Sequence, residues 1–280
     1  MARATPAYTL NDGTVLPAIG FGTYPLRGEA GVAAISSAIE AGYRLLDSAV
    51  NYENEGAVGA AVRASGVARQ ELVIATKLPG RHHAYADATA SVQESTYRMG
   101  LDHLDLVLIH WPNPRVGRYV EAWRALCDLR RDGWVRSIGV SNFLPEHLDR
   151  IIEATGVTPS VNQIELHPYF PQVEQRADNE RRGILTQAWS PLGRATALLE
   201  DPVIRRIAAA HGRSPGQTVL RWHRQLGVLP LPKAEGAGRQ RENLGVLDFE
   251  LSDAEMAELT ALGRPDGRTL DQDPATWEEF

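Results

Sequence analysis

The chain has 280 residues, 43% hydrophobic and 23% charged, an ordinary globular balance with room for one large α/β core. Lysine and arginine number 29 against 35 acidic residues, and the resulting net charge of -6 argues against nucleic acid or an anionic membrane as main partner. The single cysteine, Cys127, excludes an internal disulfide, and no stretch approaches the roughly 20 apolar residues of a bilayer span. No charged leader with an apolar run opens the chain, so a soluble, cytoplasmic protein is expected.

Residues 8–17, YTLNDGTVLP, set Asn11, Asp12 and Gly13 between short β-prone runs and predict a hairpin ahead of the first strand. Short apolar runs then predict strands at 19–22, 45–47, 73–77, 104–110, 135–140, 161–165, 185–189 and 228–231. Amphipathic stretches between them predict helices at 31–41, 54–65, 86–100, 119–132, 144–155, 173–182 and 202–211, with two more at 214–226 and 252–262. Pro145 lies just inside a helix start, Asp132-Gly133 follows a helix end, and Ser252 with Glu255 reads as a capping box. Eight strands alternating with helices over about 250 residues match an α/β fold of the (β/α)8 TIM barrel type. The N-terminal β-hairpin would plug its floor, and two helices are extra. A doubly wound sheet of six or seven strands is the rival. No composition shift marks a linker, so 1–280 is expected to form one domain. Residues 264–280 are polar, with two prolines and a terminal WEEF, and read as a tail or lid over the barrel mouth.

Four polar residues stand at or just beyond strand ends. RLLDSA carries Asp47, IATK ends on Lys77, DLVLIH ends on His110, and Tyr52 lies in the loop after the first of these. Ends of successive parallel strands converge at one mouth. A phenol with an ordinary pKa near 10 is a poor acid at neutral pH, and a nearby cation lowers that value. Lys77 supplies the cation, Asp47 holds it charged, and His110 positions a substrate oxygen. Such a set protonates an oxygen as negative charge develops on it, which carbonyl reduction requires. Taken singly, Asp47 and Lys77 read as a rim ion pair, His110 as a satisfied rim histidine and Tyr52 as packing. All four in this order favour catalysis.

The surrounding motifs resemble the aldo-keto reductase family. Residues 42–59, GYRLLDSAVNYENEGAVG, are similar to its first signature, 135–143, VRSIGVSNF, to its second, and 231–243, LPKAEGAGRQREN, to its third. LIHWP at 108–112 and IATK at 74–77 match the family's histidine and lysine motifs, so the resemblance runs over nearly the whole chain. AWSPLG at 188–193 is similar to the short-loop bacterial reductases of the 2,5-diketo-D-gluconate reductase type. The resemblance implies NADPH bound across the mouth of a barrel, and hydride passed from nicotinamide C4 to an aldehyde or ketone carbon. Tyr52 is then the general acid, with Asp47, Lys77 and His110 tuning and orienting. It also implies a monomer.

The same resemblance places Ser141, Asn142 and Gln163 on the nicotinamide carboxamide and Trp189 against the ring. Ser190 and Leu192 fall near the pyrophosphate, with Gly22 and Thr23 approaching the same stretch. Lys233 and Arg239 match the cations that grip the 2′-phosphate, and Glu242 and Asn243 match residues around the adenine. Here the chain departs from the family: Ala234 replaces a hydroxyl residue, Gly236 replaces a hydroxyl or basic one, and Glu235 intervenes. Fewer donors and an added carboxylate weaken a phosphate site, so NADPH is favoured with NADH or dual use open. Read without the motif, Ser141-Asn142 is a helix cap, Trp189 is rim packing and Lys233 and Arg239 are solvated.

Tyr24, Val50, Asn51, Trp111 and Trp277 are expected to line a pocket for a small-molecule carbonyl substrate. Short loops after His110 and Trp189 predict an open, loosely selective site. Arg115 or Arg118 would attract anionic keto acids, though exposed loop arginines are usually only solvated. No G-x-G-x-x-G follows a strand. No metal site is expected: His82-His83 is a loop pair and His167 has no acidic partner at ligand spacing. Two other functions remain in view. One is a cofactor-binding sensor or regulatory barrel without turnover, which has no need of all four polar groups. The other is a hydrolase using Glu165 and Asp47, which Lys77 disfavours by holding Asp47 ionised.

Overall fold

The computed structural model describes residues 7–195 and 197–280. Strands β1 (Ala7–Thr9) and β2 (Val15–Pro17) form the expected antiparallel hairpin. Asp12 Oδ1 accepts the Thr14 N–H across its turn, and Asp12 Oδ2 accepts the Ser137 hydroxyl at 2.7 Å. Asn11 donates to Pro159 O and Tyr8 to Val228 O, so the hairpin is tied to the N-terminal ends of three later strands. Its Leu10 and Leu16 join Leu45, Leu106, Leu108, Val161 and Leu229 in one apolar cluster inside the sheet. Each fully buried leucine stabilises by about 2 kcal/mol.

Eight parallel strands follow: β3 (Phe21–Gly22), β4 (Leu45–Asp47), β5 (Val73–Leu78), β6 (Leu104–Ile109), β7 (Val135–Ser141), β8 (Val161–Glu165), β9 (Leu185–Trp189) and β10 (Leu229–Pro230). Each pairs with the next in chain order, and the sheet curls. Its two edge strands meet through Gly20 N donating to Pro230 O and Gly22 N to Pro232 O, both 3.1 Å. Pro230 and Pro232 have no N–H, so on this seam the β10 side can only accept. That explains why β10 is two residues long where four were predicted. Leu231, facing the other way, still donates to Ala188 O.

The helices are α1 (Gly28–Ala41), α2 (Glu55–Ala64), α3 (Tyr85–Met99), α4 (Tyr119–Arg131), α5 (Pro145–Thr155), α6 (Val173–Arg181), α7 (Pro202–Ala210), α8 (Pro215–Gln225), α9 (Ala237–Leu244) and α10 (Asp253–Thr260). Pro145 opens α5, and the Ser252–Glu255 capping box opens α10 as predicted. Helix α9 is an addition to the expected set. Its sequence, AGRQRENL, buries only Gln240 and Asn243, so it carries no apolar stripe to betray a helix. A second apolar cluster, with Trp123, Phe143 and Leu126 among its fully buried members, fills the layer between sheet and helices. Among the described residues no helix is long and apolar enough to cross a membrane.

Candidate active site

Parallel register brings the polar strand ends together. Asp47 closes β4 opposite Ala75, and Lys77 stands two residues further along β5, on the same face. Lys77 Nζ lies 2.6 Å from Asp47 Oδ2, donates to Ser48 O at 2.8 Å and to the Tyr52 hydroxyl oxygen at 3.4 Å. All three ammonium protons are therefore directed. Lys77 is 1% exposed, and an ammonium so buried persists only when paired. Burial works against its charge, but Asp47 and the Tyr52 oxygen outweigh this and hold it above the ordinary lysine value.

Asp47 is in turn fastened on its other oxygen, where Gln163 Nε2 donates at 3.0 Å. Its backbone carbonyl accepts both the Thr23 N–H and the Thr23 hydroxyl. Asn54 donates to Thr23 O and accepts from the Ser48 hydroxyl at 2.6 Å, tying down the loop that carries Tyr52. Tyr52 ends the 3-10 turn Val50–Tyr52, with its ring 5.0 Å from that of Tyr24 and 5.9 Å from the His110 imidazole. His110 follows the last residue of β6 and its N–H donates to Leu78 O.

The phenol's acidity differs from the sequence expectation. Burial pushes the Tyr52 phenol above its ordinary value; Lys77 pulls it down, while Asp47 and Glu279 push it further up. The net direction is upward. Removing a phenolate from water costs more than one cation returns when that cation is already shared with a carboxylate. The phenol therefore stays fully protonated at neutral pH, and Lys77, bonded to its oxygen, leaves the O–H proton free to point into the mouth.

Beside this group runs a belt of polar contacts. The Ser141 hydroxyl donates to Gln163 O at 2.8 Å, and Asn142, in the left-handed region at φ 63°, donates to His110 O and to Ser141 Oγ. The Trp189 indole N–H donates to Asn142 Oδ1 at 2.9 Å, which fixes a ring expected only to stack. Ser190 makes a tight left-handed turn after β9, and Leu192 packs half-buried against the apolar clusters. Gly22 is close-packed: a Cβ there would lie 2.9 Å from Leu231 O. Thr23 is fully buried, and its hydroxyl donates to Asp47 O at 2.9 Å. At the far end Lys233 pairs with Glu235 at 2.5 Å, exposed Arg239 stands on α9, Glu242 accepts the Ser214 hydroxyl, and Asn243 is buried.

The mouth is not open. Residues of the C-terminal tail lie across it, with Trp277 packed 6.2 Å from Trp111 and Glu278 accepting the Arg115 N–H. Glu279 reaches the interior: its Oε1 lies 2.6 Å from His110 Nδ1 and accepts from Asn51 Nδ2 at 2.7 Å. Short loops therefore did not leave a vacant site, because a distant segment covers it. Thr269 anchors the start of this tail on Glu165, whose Oε1 also meets His167 Nε2 at 3.1 Å. His167 thus has an acidic partner after all, and Glu165 is engaged in holding the tail rather than paired with Asp47. Arg118 is taken by Glu121 at 2.9 Å on the surface. Glu279, Asn113, Asn54 and Gly80 were not singled out from sequence. Asn54 sits inside the first signature, which was the only signal available for any of them.

Likeness to known proteins decides the family. The Aldo/keto reductase family profile matches residues 18–264. The chain belongs to the aldo/keto reductase family. Among its relatives, 2,5-diketo-D-gluconic acid reductase B of Corynebacterium sp. is 53% identical, covering 98% of this chain and 99% of that one. Morphine 6-dehydrogenase of Pseudomonas putida is 44% identical over the full length of both. A mutant of Gox0644 solved in complex with NADPH superposes with a TM-score of 0.94 at 40% identity, covering 99% of this chain and 100% of that one. This aldo/keto reductase is an NADP-dependent oxidoreductase. Its residues fit a dinucleotide: the hydroxyl and amide groups of Ser141, Asn142 and Gln163 cluster around the Asp47–Lys77–Tyr52 set, and Lys233 and Arg239 are exposed cations that a phosphate could meet.

Proposed function

We propose that the protein reduces aldehydes and ketones to alcohols with NADPH. Bound reduced nicotinamide supplies the reducing electrons. Tyr52 donates its phenolic proton to the carbonyl oxygen, and Lys77 stabilises the phenolate left behind. Asp47, gripped by Gln163 and Thr23, keeps the ammonium in place. His110 orients the carbonyl oxygen. The reading rests on one observation: Lys77 donates to the Tyr52 oxygen at 3.4 Å while bonded to Asp47 at 2.6 Å.

In this reading the curled sheet is a (β/α)8 barrel with two extra helices, one domain over 1–280, and residues 264–280 are its lid. Ser141, Asn142 and Gln163 hold the carboxamide after exchanging their mutual bonds for it. Trp189, Ser190, Leu192 and Gly22 flank the nicotinamide and pyrophosphate. Lys233, Arg239, Glu242 and Asn243 hold the adenosine end, and Tyr24, Val50, Asn51, Trp111 and Trp277 line the substrate space. The pairing of Lys233 with Glu235 supports use of NADH beside NADPH, because the carboxylate competes for the cation that would grip a 2′-phosphate.

The test follows loss of NADPH absorbance with 4-nitrobenzaldehyde. Consumption that disappears in Tyr52→Phe supports the reading. Cofactor binding without any turnover would support the sensor reading in its place.

A further inference from the structure

Glu279 brings to the mouth a negative charge that neither the strand ends nor a dinucleotide calls for. Its side chain is 11% exposed. Besides the close contact with His110 and the hydrogen bond from Asn51, the Gly80 N–H donates to its Oε2 at 3.1 Å. Its backbone is clasped at both ends by Asn113, whose Nδ2 donates to Glu279 O at 2.7 Å and whose Oδ1 accepts Glu279 N at 3.0 Å. A Cβ on Gly80 would lie 2.4 Å from Glu279 O, so the docked tail requires glycine there. Burial disfavours the charge, but His110 and the surrounding donors outweigh it and hold the carboxyl below the usual carboxylate range. Glu279 is therefore ionised at neutral pH, and its charge is felt at Tyr52.

We propose that Glu279 is a specificity-determining residue, whose buried carboxylate selects uncharged carbonyl compounds over those carrying a carboxylate. The inference rests on the reading of carbonyl reduction above. A carbonyl oxygen that reaches both Tyr52 and His110 lies beside Glu279. Two like charges about 6 Å apart in a medium of effective dielectric about 20 repel enough for a discrimination of about a hundredfold. The backbone clasp from Asn113 and the Trp277–Trp111 contact do not depend on the charge, so Glu279→Gln removes the charge while the tail keeps its other anchors.

The experiment compares kcat/KM for 4-nitrobenzaldehyde and 4-carboxybenzaldehyde, near-isosteres that differ in charge. The native protein is expected to prefer the nitro compound at least tenfold. Glu279→Gln should shrink that ratio at least tenfold, through KM for the carboxylate. Glu278→Gln makes the same change in net charge one residue away and should leave the ratio within twofold. A ratio unmoved by Glu279→Gln, or moved as much by Glu278→Gln, overturns the proposal. The same preference is read without turnover by quenching of the Trp111 and Trp277 fluorescence with benzoate and benzamide. A protein that reduces neither aldehyde thus sinks carbonyl reduction, while this titration still decides the charge preference.

Discussion

Two ammonium–carboxylate pairs of nearly equal length sit at opposite ends of the proposed dinucleotide path. Lys77 lies 2.6 Å from Asp47 with side chains 1% and 7% exposed; Lys233 lies 2.5 Å from Glu235 with side chains 34% and 68% exposed. Distance alone does not distinguish them, but burial does. The inner pair cannot dissolve into water, so each charge needs the other, and Lys77 directs its remaining protons at Ser48 O and Tyr52. The outer pair is screened and replaceable, so Lys233 remains free to change partner when a phosphate arrives. One pair is committed to holding a proton donor, and the other sets only a preference between cofactors.

The comparison breaks most readily at Lys77. Lys77→Met leaves Asp47 buried without its cation, which should cost about 3–5 kcal/mol of stability and abolish reduction. Urea unfolding and NADPH turnover measure both, with cofactor binding nearly intact; normal turnover would refute the proposed acid. Tyr52→Phe keeps the ring but removes the proton, and a fall in kcat of about 10²- to 10⁴-fold is expected, read by stopped assays at saturating substrate.

A buried ionisable group without a hydrogen-bond partner among the described residues sharpens the contrast. His83 is 1% exposed, neither ring nitrogen is hydrogen-bonded among those residues, and burial pushes its pKa down to about 4. Between the ordinary histidine value of about 6.5 and about 4, the unfolded chain takes up a proton that the folded one refuses. Stability should therefore fall with pH across that window, by about 3 kcal/mol from this residue, and level off below it. Unfolding curves at pH 7, 5.5 and 4 check this; an equal slope in His83→Leu would dismiss the residue as the cause.

The smallest effect belongs to the outer pair. Glu235→Gln should raise the preference for NADPH over NADH by about threefold and leave Tm unchanged. Parallel assays with both cofactors decide it, and a shift toward NADH would show that Glu235 helps rather than hinders the phosphate.

Much of this was legible along the chain. Every predicted strand has a counterpart, because short apolar runs between polar amphipathic stretches leave little choice of period. Asp47, Lys77 and His110 could be placed together because parallel register aligns strand ends. Helix α9 was missed because AGRQRENL has no apolar face, and it is held instead by Gln240, whose buried amide donates to Ala34 O of α1 and to Ala234 O. The upward direction of the Tyr52 phenol was also hidden, since desolvation belongs to the surroundings and not to any residue type.

Sequence by itself determined the alternation of strands and helices, the hairpin and the polar groups at the strand ends, since short-range periodicity and strand polarity are written locally. The tertiary structure alone decided that Glu279 meets His110. In sequence a glutamate in a terminal WEEF is one more solvated charge. It enters the site only because Asn113, Gly80 and Trp111, brought together by the sheet, offer its backbone and neighbours partners that water would otherwise supply.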